Sequence, residues 1–238
     1  VSDATNRSVF VTGGNNGIGL GIAQRLAASG HRVAVTHHSS APPAGLLGVK
    51  CDVADPASVR EAVEQVTAEQ GPVEVLVTAA GIVRDGLLMR MPDADWDAVI
   101  DTNLRGSWAA ARAVIPAMAK ARYGRMLFVS SVSGMLGSAG QVNYAASKSG
   151  LIGLARSIAR EYAPRGVTSN VLAPGLVDTA MNAALTDAQR DAIVSQTPLR
   201  RMATVDEVAD VAAFLVSDAA SYVTGAVVPV DGGLGMGH

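Results

Sequence analysis

A tyrosine and a lysine stand four residues apart in the stretch YAASK, Tyr144 to Lys148. On a helix that spacing puts both side chains on one face. A free phenol, with a pKa near ~10, exchanges protons poorly at neutral pH, and a neighbouring ammonium lowers that value by favouring the phenolate. Ser131 follows the run RMLFVS, 125–130, where a hydroxyl could hold a carbonyl oxygen beside the phenol. Singly, a Tyr packs, a Lys is solvated and a Ser ends a strand. Together the three describe an acid–base site for a carbonyl or an alcohol.

What such a site would work with is indicated upstream by TGGNNGIG, Thr12 to Gly19, directly after the apolar run Val9-Phe10-Val11. It reads as a strand, a glycine turn and the start of a helix, whose free N–H groups hold an anion. Gly13, Gly17 and Gly19 are not spaced as the usual G-x-G-x-x-G fingerprint, and a glycine-rich turn alone is often only a turn. Its place after the first strand is what points to a dinucleotide phosphate. The turn carries no Lys or Arg, only Asn15 and Asn16.

At the end of the second strand, NAD-binding folds put an Asp or Glu on the ribose 2′-hydroxyl. This chain has THHSS at 36–40, and no acid from Gly30 to Cys51. An acid there would repel a 2′-phosphate, so its absence favours NADP(H) and leaves NAD(H) possible. The same loop also reads as an ordinary polar one. His37 and His38 are the only side chains of these two stretches that can become cationic.

The elements that must position these groups follow from the alternation of short β-rich runs and longer helical patterns. Strands are expected at 8–12, 32–36, 46–51, 73–78, 125–130, 167–173 and 226–231. Most are continuous apolar runs, as in a parallel sheet covered on both faces. Between them, Asp55 caps a helix that starts at Pro56 and stops at Gly71, and TDAQ (186–189) and TVDE (204–207) fit the capping box. No repeat, low-complexity tract or linker interrupts the pattern, and SSAPPAG (39–45) is a loop. The expectation is one α/β domain over 1–238, a Rossmann-type doubly wound parallel sheet of about seven strands with helices on both faces.

Composition excludes other classes. The chain has 238 residues, 49% of them hydrophobic and 17% charged, enough to bury a sizeable core. A net charge of -2 argues against nucleic-acid binding. Cys51 is the only cysteine, so neither an internal disulfide nor a Cys-rich metal site is expected, and a reducing compartment suits it. Residues 1–7 are polar, unlike a secretion signal, and no apolar run approaches the ~18 residues of a membrane helix. A soluble cytoplasmic protein without a metal is expected.

With these residues in view, the chain resembles the short-chain dehydrogenase/reductase family over essentially its whole length. GGNNGIG, CDV (51–53), NLRG (103–106), Ser131, YAASK, APG (173–175) with Thr179, and VDGG (231–234) carry the resemblance. Within the family it is most similar to actinobacterial β-ketoacyl-[acyl-carrier-protein] reductases, through LLMRM (87–91), GQVNYAASKSGLIGLARSIARE (140–161) and GLGMGH (233–238).

The resemblance implies NADPH-dependent reduction of 3-oxoacyl groups on acyl carrier protein, in fatty acid biosynthesis. It implies Tyr144 as the general acid, Ser131 as the holder of the carbonyl oxygen, and Lys148 as the ribose ligand that lowers the Tyr144 pKa. Asn103 would support a water chain. Gly13, Asn15, Asn16, Gly17, Ile18 and Gly19 would meet the phosphates, with His37 and His38 nearby. Asp52 and Val53 would meet adenine, followed by Ala80 and Gly81. Pro174, Gly175, Val177 and Thr179 would lie along the nicotinamide. Residues 181–202 would form a substrate lid, though they also read as a plain surface hairpin. Arg122 and Arg165 would dock the carrier, and the chain would form a homotetramer.

Two departures stand out. Ala79 replaces the family's Asn, and Asn16 and His38 stand where NADPH-using relatives often carry basic residues. They keep open a ketone or alcohol oxidoreductase of secondary metabolism. A silent dinucleotide sensor is a further alternative, disfavoured by the intact Ser131, Tyr144 and Lys148.

Overall fold

The computed structural model describes residues 6–38, 41–182 and 185–236. Seven strands form one sheet: β1 (Ser8–Thr12), β2 (Arg32–His37), β3 (Leu47–Lys50), β4 (Val75–Thr78), β5 (Gly124–Val129), β6 (Val167–Pro174) and β7 (Val227–Val230). Their spatial order is β3-β2-β1-β4-β5-β6-β7, and every neighbouring pair is parallel. The expected doubly wound sheet is therefore present. Its order reverses between β1 and β4, the point where such sheets open a crevice at their carboxyl edge.

Among the described residues eight α-helices accompany the strands: α1 (Gly17–Ala28), α2 (Pro56–Gln70), α3 (Asp93–Val99), α4 (Gly106–Ala121), α5 (Ser133–Leu136), α6 (Val142–Tyr162), α7 (Asp187–Gln196) and α8 (Val205–Val216). Local chemistry sets several of their ends. The Asp55 carboxylate accepts from Ala57 N at the start of α2, with Pro56 in the first turn. Complete capping boxes, Thr186 with Gln189 and Thr204 with Glu207, open α7 and α8. The Glu207 carboxyl is held down at about 2, first by its bond from Arg201.

Two cores explain why the strands read as unbroken apolar runs. Alternate residues Phe10, Leu76, Met126 and Phe128 face α2, α4 and α6, while Val9, Val11, Val77 and Leu127 face α1 and α8. Both faces are buried, so neither needs polar positions. At the amino edge, Arg7 and Arg125 stack on Tyr123, at 3.9 and 4.3 Å from the ring centroid, and both pair with Asp218. That cluster ties the sheet together at the end opposite the crevice.

Candidate active site

β5 delivers the reacting group. Val129 is its last residue, and Ser131 follows on the turn into α5. The Ser131 hydroxyl accepts from Ser133 N at 3.2 Å and lies near enough to the Tyr144 phenol to lower its pKa. Tyr144 and Lys148 lie on consecutive turns of α6, with the Lys148 ammonium 5.7 Å from the Tyr144 ring centroid. Lys148 is 4% exposed, and its Nζ donates to the Val129 carbonyl at 2.8 Å. Ser130 Oγ donates to Lys148 O at 2.8 Å, so strand end and helix are bound to each other.

Burial governs the proton affinities here. It lowers the Lys148 ammonium to about 8. It also raises the Tyr144 pKa, with a smaller upward push from Asp85. The Ser131 hydroxyl opposes that rise, while the Lys148 ammonium, itself weakened by desolvation, is turned to a backbone carbonyl.

Asn103 sits in a single π-helical turn, Ile100–Arg105, between α3 and α4, a local widening that recurs at functional sites. It is fully buried. Its Oδ1 accepts from Ile82 N at 2.8 Å, and its Nδ2 donates to Ile82 O and Ser147 Oγ, both at 3.1 Å. Ser147 Oγ in turn donates to Tyr144 O at 2.7 Å. Gly81 completes this corner: a Cβ there would stand 3.3 Å from both Lys148 Nζ and Asn103 Oδ1. Asn143, also fully buried, accepts from Tyr144 N at 2.7 Å and donates to Arg84 O at 2.9 Å. Sequence reasoning missed Asn143, because nothing in VNY distinguishes a buried amide from a solvated one.

The glycine turn lies across the switch point. The N-cap Asn16 makes no side-chain bond to α1, so the first-turn N–H groups are open to an anion. A Cβ on Gly19 would collide with Gly13 O, and one on Gly13 would meet the Ala80 backbone at 2.6 Å. Thr36 Oγ1 anchors the turn by accepting from Gly13 N at 2.8 Å. Thr179 faces Gly17, 3.8 Å from a Cβ built there. Val177 is buried, its carbonyl accepting from Asn182 Nδ2 at 2.8 Å, and Gly175 N donates to Val230 O at 3.1 Å. Gly13 thus stands against Ala80, Gly17 against Thr179 and Gly81 against Lys148, at the carboxyl edge of the sheet beside Tyr144. A bare backbone cradle beside a buried ammonium fits a nicotinamide dinucleotide.

Other expected residues lie further out. Asp52 Oδ1 accepts from Ala54 N at 2.9 Å, and Val53 packs on Gly106, both just past β3. His37 ends β2 with its ring beside Gly48 and its Nδ1 buried without a partner among the described residues, and His38 is exposed. Ser39 and Ser40 lie outside the described residues. Ala79 packs against the α1 side of the sheet and donates its N–H to Thr12 O at 3.0 Å. Helix α7, within the expected lid, buries no residue, and 183–184 are outside the described residues.

Arg122 reaches the turn that carries Arg165: its Nη2 donates to Pro164 O at 3.2 Å. Arg165 borders a shallow depression with Lys120, Glu161 and Tyr162. Both arginines precede strands, at the amino edge, whereas Ser131 follows β5 at the carboxyl edge. A six-residue strand separates the two edges, roughly 20 Å at the rise of a parallel strand. Among the described residues no group of His, Cys, Asp and Glu could hold a metal, and no helix is long and apolar enough to cross a membrane.

A family profile described as Enoyl-(Acyl carrier protein) reductase matches residues 13–235. The 3-oxoacyl-[acyl-carrier-protein] reductase MabA of Mycobacterium tuberculosis is 53% identical over 98% of this chain and 94% of its own length. The 3-oxoacyl-[acyl-carrier-protein] reductase FabG of Escherichia coli is 45% identical over 95% and 96%. Among solved structures, one titled "Crystal structure of gox2181" superposes with a TM-score of 0.94 at 34% identity, covering 97% of this chain and 96% of that one.

Proposed function

This chain belongs to the short-chain dehydrogenase/reductase family, and from that premise we propose that it reduces 3-oxoacyl-[acyl-carrier-protein] to the 3-hydroxyacyl form in fatty acid biosynthesis, with NADPH as reductant. The observation that carries this reading is the meeting of Ser131, Tyr144 and Lys148 beside an open glycine cradle. Bound in that crevice, the dinucleotide supplies the hydride that reduces the carbonyl carbon.

The protein's own residues do the rest. Ser131 and Tyr144 present two hydroxyls to one oxygen. Burial raises the Tyr144 pKa, so the phenol is protonated at neutral pH and can donate to the oxygen as negative charge develops there. Lys148 offers its remaining N–H groups to a ribose hydroxyl while Val129 O holds its orientation. Asn103 keeps the Ile82 strand end and Ser147 in register beneath Tyr144. The open N-terminus of α1, with Asn15, Asn16 and Ile18 on its turn, receives the pyrophosphate. The lack of any acid from Gly30 to Cys51 supports NADPH over NADH, with His37 and His38 as the nearby basic groups.

The wider reading places the lid at 181–202, carrier docking at Arg122 and Arg165, adenine near Asp52 and Val53, and the chain in a cytoplasmic homotetramer. A carrier docked on the arginines reaches this chain's own Tyr144 only across the span of β5.

The matched profile's description names reduction of a C=C bond, whereas the relatives' names specify a C=O bond. Two hydroxyls converging on one atom suit a carbonyl oxygen, which can accept from both. The test is turnover of NADPH with 3-oxobutanoyl and trans-2-butenoyl thioesters in parallel. Consumption of only the first is expected, and consumption of only the second would reverse the assignment.

A further inference from the structure

After β7 the chain doubles back on itself. Asp231, 9% exposed, turns its carboxylate onto its own downstream backbone. Its Oδ1 accepts from Gly233 N at 2.9 Å, and its Oδ2 accepts from Gly235 N at 2.7 Å. Two further bonds tighten the curl, Leu234 N to Asp231 O at 3.2 Å and Met236 N to Gly233 O at 3.3 Å. A nearly buried carboxylate must find such donors, because unpaired it would cost far more than the curl does.

The curled tail is wedged among three parts of the crevice. A Cβ on Gly175 would stand 2.8 Å from Asp231 Cα. One on Gly235 would stand 3.2 Å from Val132 Cγ2, on the residue after Ser131, and 3.9 Å from Met135 Cε. Leu199 N donates to Gly232 O at 3.1 Å, and a Cβ on Gly233 would stand 3.0 Å from Pro198 Cγ. The tail therefore abuts the turn that carries Ser131, the Gly175 corner and the segment that follows α7. Three apolar side chains stand out at this junction: Leu136 at 43%, Leu199 at 63% and Met236 at 73% exposure.

We propose that the C-terminal tail is a wall of the acyl site, with Leu136, Leu199 and Met236 receiving the alkyl chain and Asp231 acting as the positioning residue that holds the wall. This rests on the 3-oxoacyl reading of the site. Val132 directly follows Ser131, so this rim stands beside the group that holds the carbonyl oxygen, and its exposed apolar side chains match an alkyl chain. A short acyl group ends before the rim. Each methylene that becomes buried on it tightens binding roughly three- to fourfold.

The experiment compares 3-oxobutanoyl and 3-oxododecanoyl coenzyme A thioesters on the full chain, with NADPH Kd measured separately. Met236→Ser is expected to raise KM for the long substrate about tenfold more than KM for the short one. Asp231→Asn puts an amide NH2 where an acceptor is required and should shift the same ratio in the same direction. In both variants kcat on the long substrate should change far less than KM, and NADPH Kd should hold. Equal losses on both substrates, or an unmoved ratio, would overturn the proposal while leaving the 3-oxoacyl reading in place. A parent enzyme that reduces neither thioester would overturn both. Met236 is exposed and makes no core contact, so its variant decides the matter even if Asp231→Asn fails to fold.

Discussion

Replacing Lys148 by Met keeps the side chain's length and removes its charge, which separates the site's chemistry from its cost in stability. Lys148 is 4% exposed, and burial takes its ammonium from 10.5 to about 8. That displacement withholds about 3 kcal/mol of stability at neutral pH. Between pH 8 and 10.5 the unfolded chain still carries the proton that the folded chain has released. The unfolded state then binds more protons, so stability rises with pH across that window. Met has no such proton. The variant's advantage should therefore be greatest below pH 8 and shrink by about 1 kcal/mol between pH 7 and 9. Loss of the donor to Val129 O opposes it by ~1–3 kcal/mol. At pH 7 the variant should be as stable as the parent or up to about 2 kcal/mol more stable, with its turnover abolished. Urea unfolding of cofactor-free protein at one fixed concentration, at pH 7, 8 and 9, measures this. A stability difference that stays constant, or widens in the variant's favour as pH rises, would refute the burial argument.

Gly81→Ala brings a methyl within 3.3 Å of Lys148 Nζ and Asn103 Oδ1, and should cut kcat/KM by ~10–100-fold by displacing the ammonium; unchanged kinetics would show that this corner has slack. Asp218→Asn strips the carboxylate from Arg125, whose side chain is 6% exposed, and from Tyr123 Oη. Urea unfolding should show a loss of about 2–3 kcal/mol with little change in turnover. Arg122→Glu with Arg165→Glu should raise KM for carrier-bound substrate and flatten its salt dependence, and leave coenzyme A thioesters alone; equal effects on both substrates would remove docking from this face.

Much of the site could be read along the chain because its geometry is local. Tyr144 and Lys148 share a face through helical spacing alone, and Ser131 follows a strand whose end must lie at the ligand edge. The capping boxes at Thr186 and Thr204 were legible for the same reason. What escaped depends on burial. The pKa order at Tyr144 and Lys148 follows from desolvation, which a sequence pattern does not report. Asn143 and Asp231 look like any surface polar residues until the fold encloses them. The placement of Arg122 and Arg165 is legible in the sequence as well. In a parallel sheet every residue just before a strand lies at the amino edge, far from those just after one.

The most direct test is to incubate the protein with a 3-oxoacyl-[acyl-carrier-protein] and NADPH and identify the carrier-bound product by mass, beside the Tyr144→Phe variant. The expected product is the 3-hydroxyacyl carrier, formed in equal amount to the NADPH consumed, with the variant ~10²–10⁴-fold slower at unchanged NADPH affinity. An unaltered 3-oxoacyl carrier with the parent protein, or a Phe variant of near-normal rate, would contradict the assignment of this site to carbonyl reduction with Tyr144 as the proton donor.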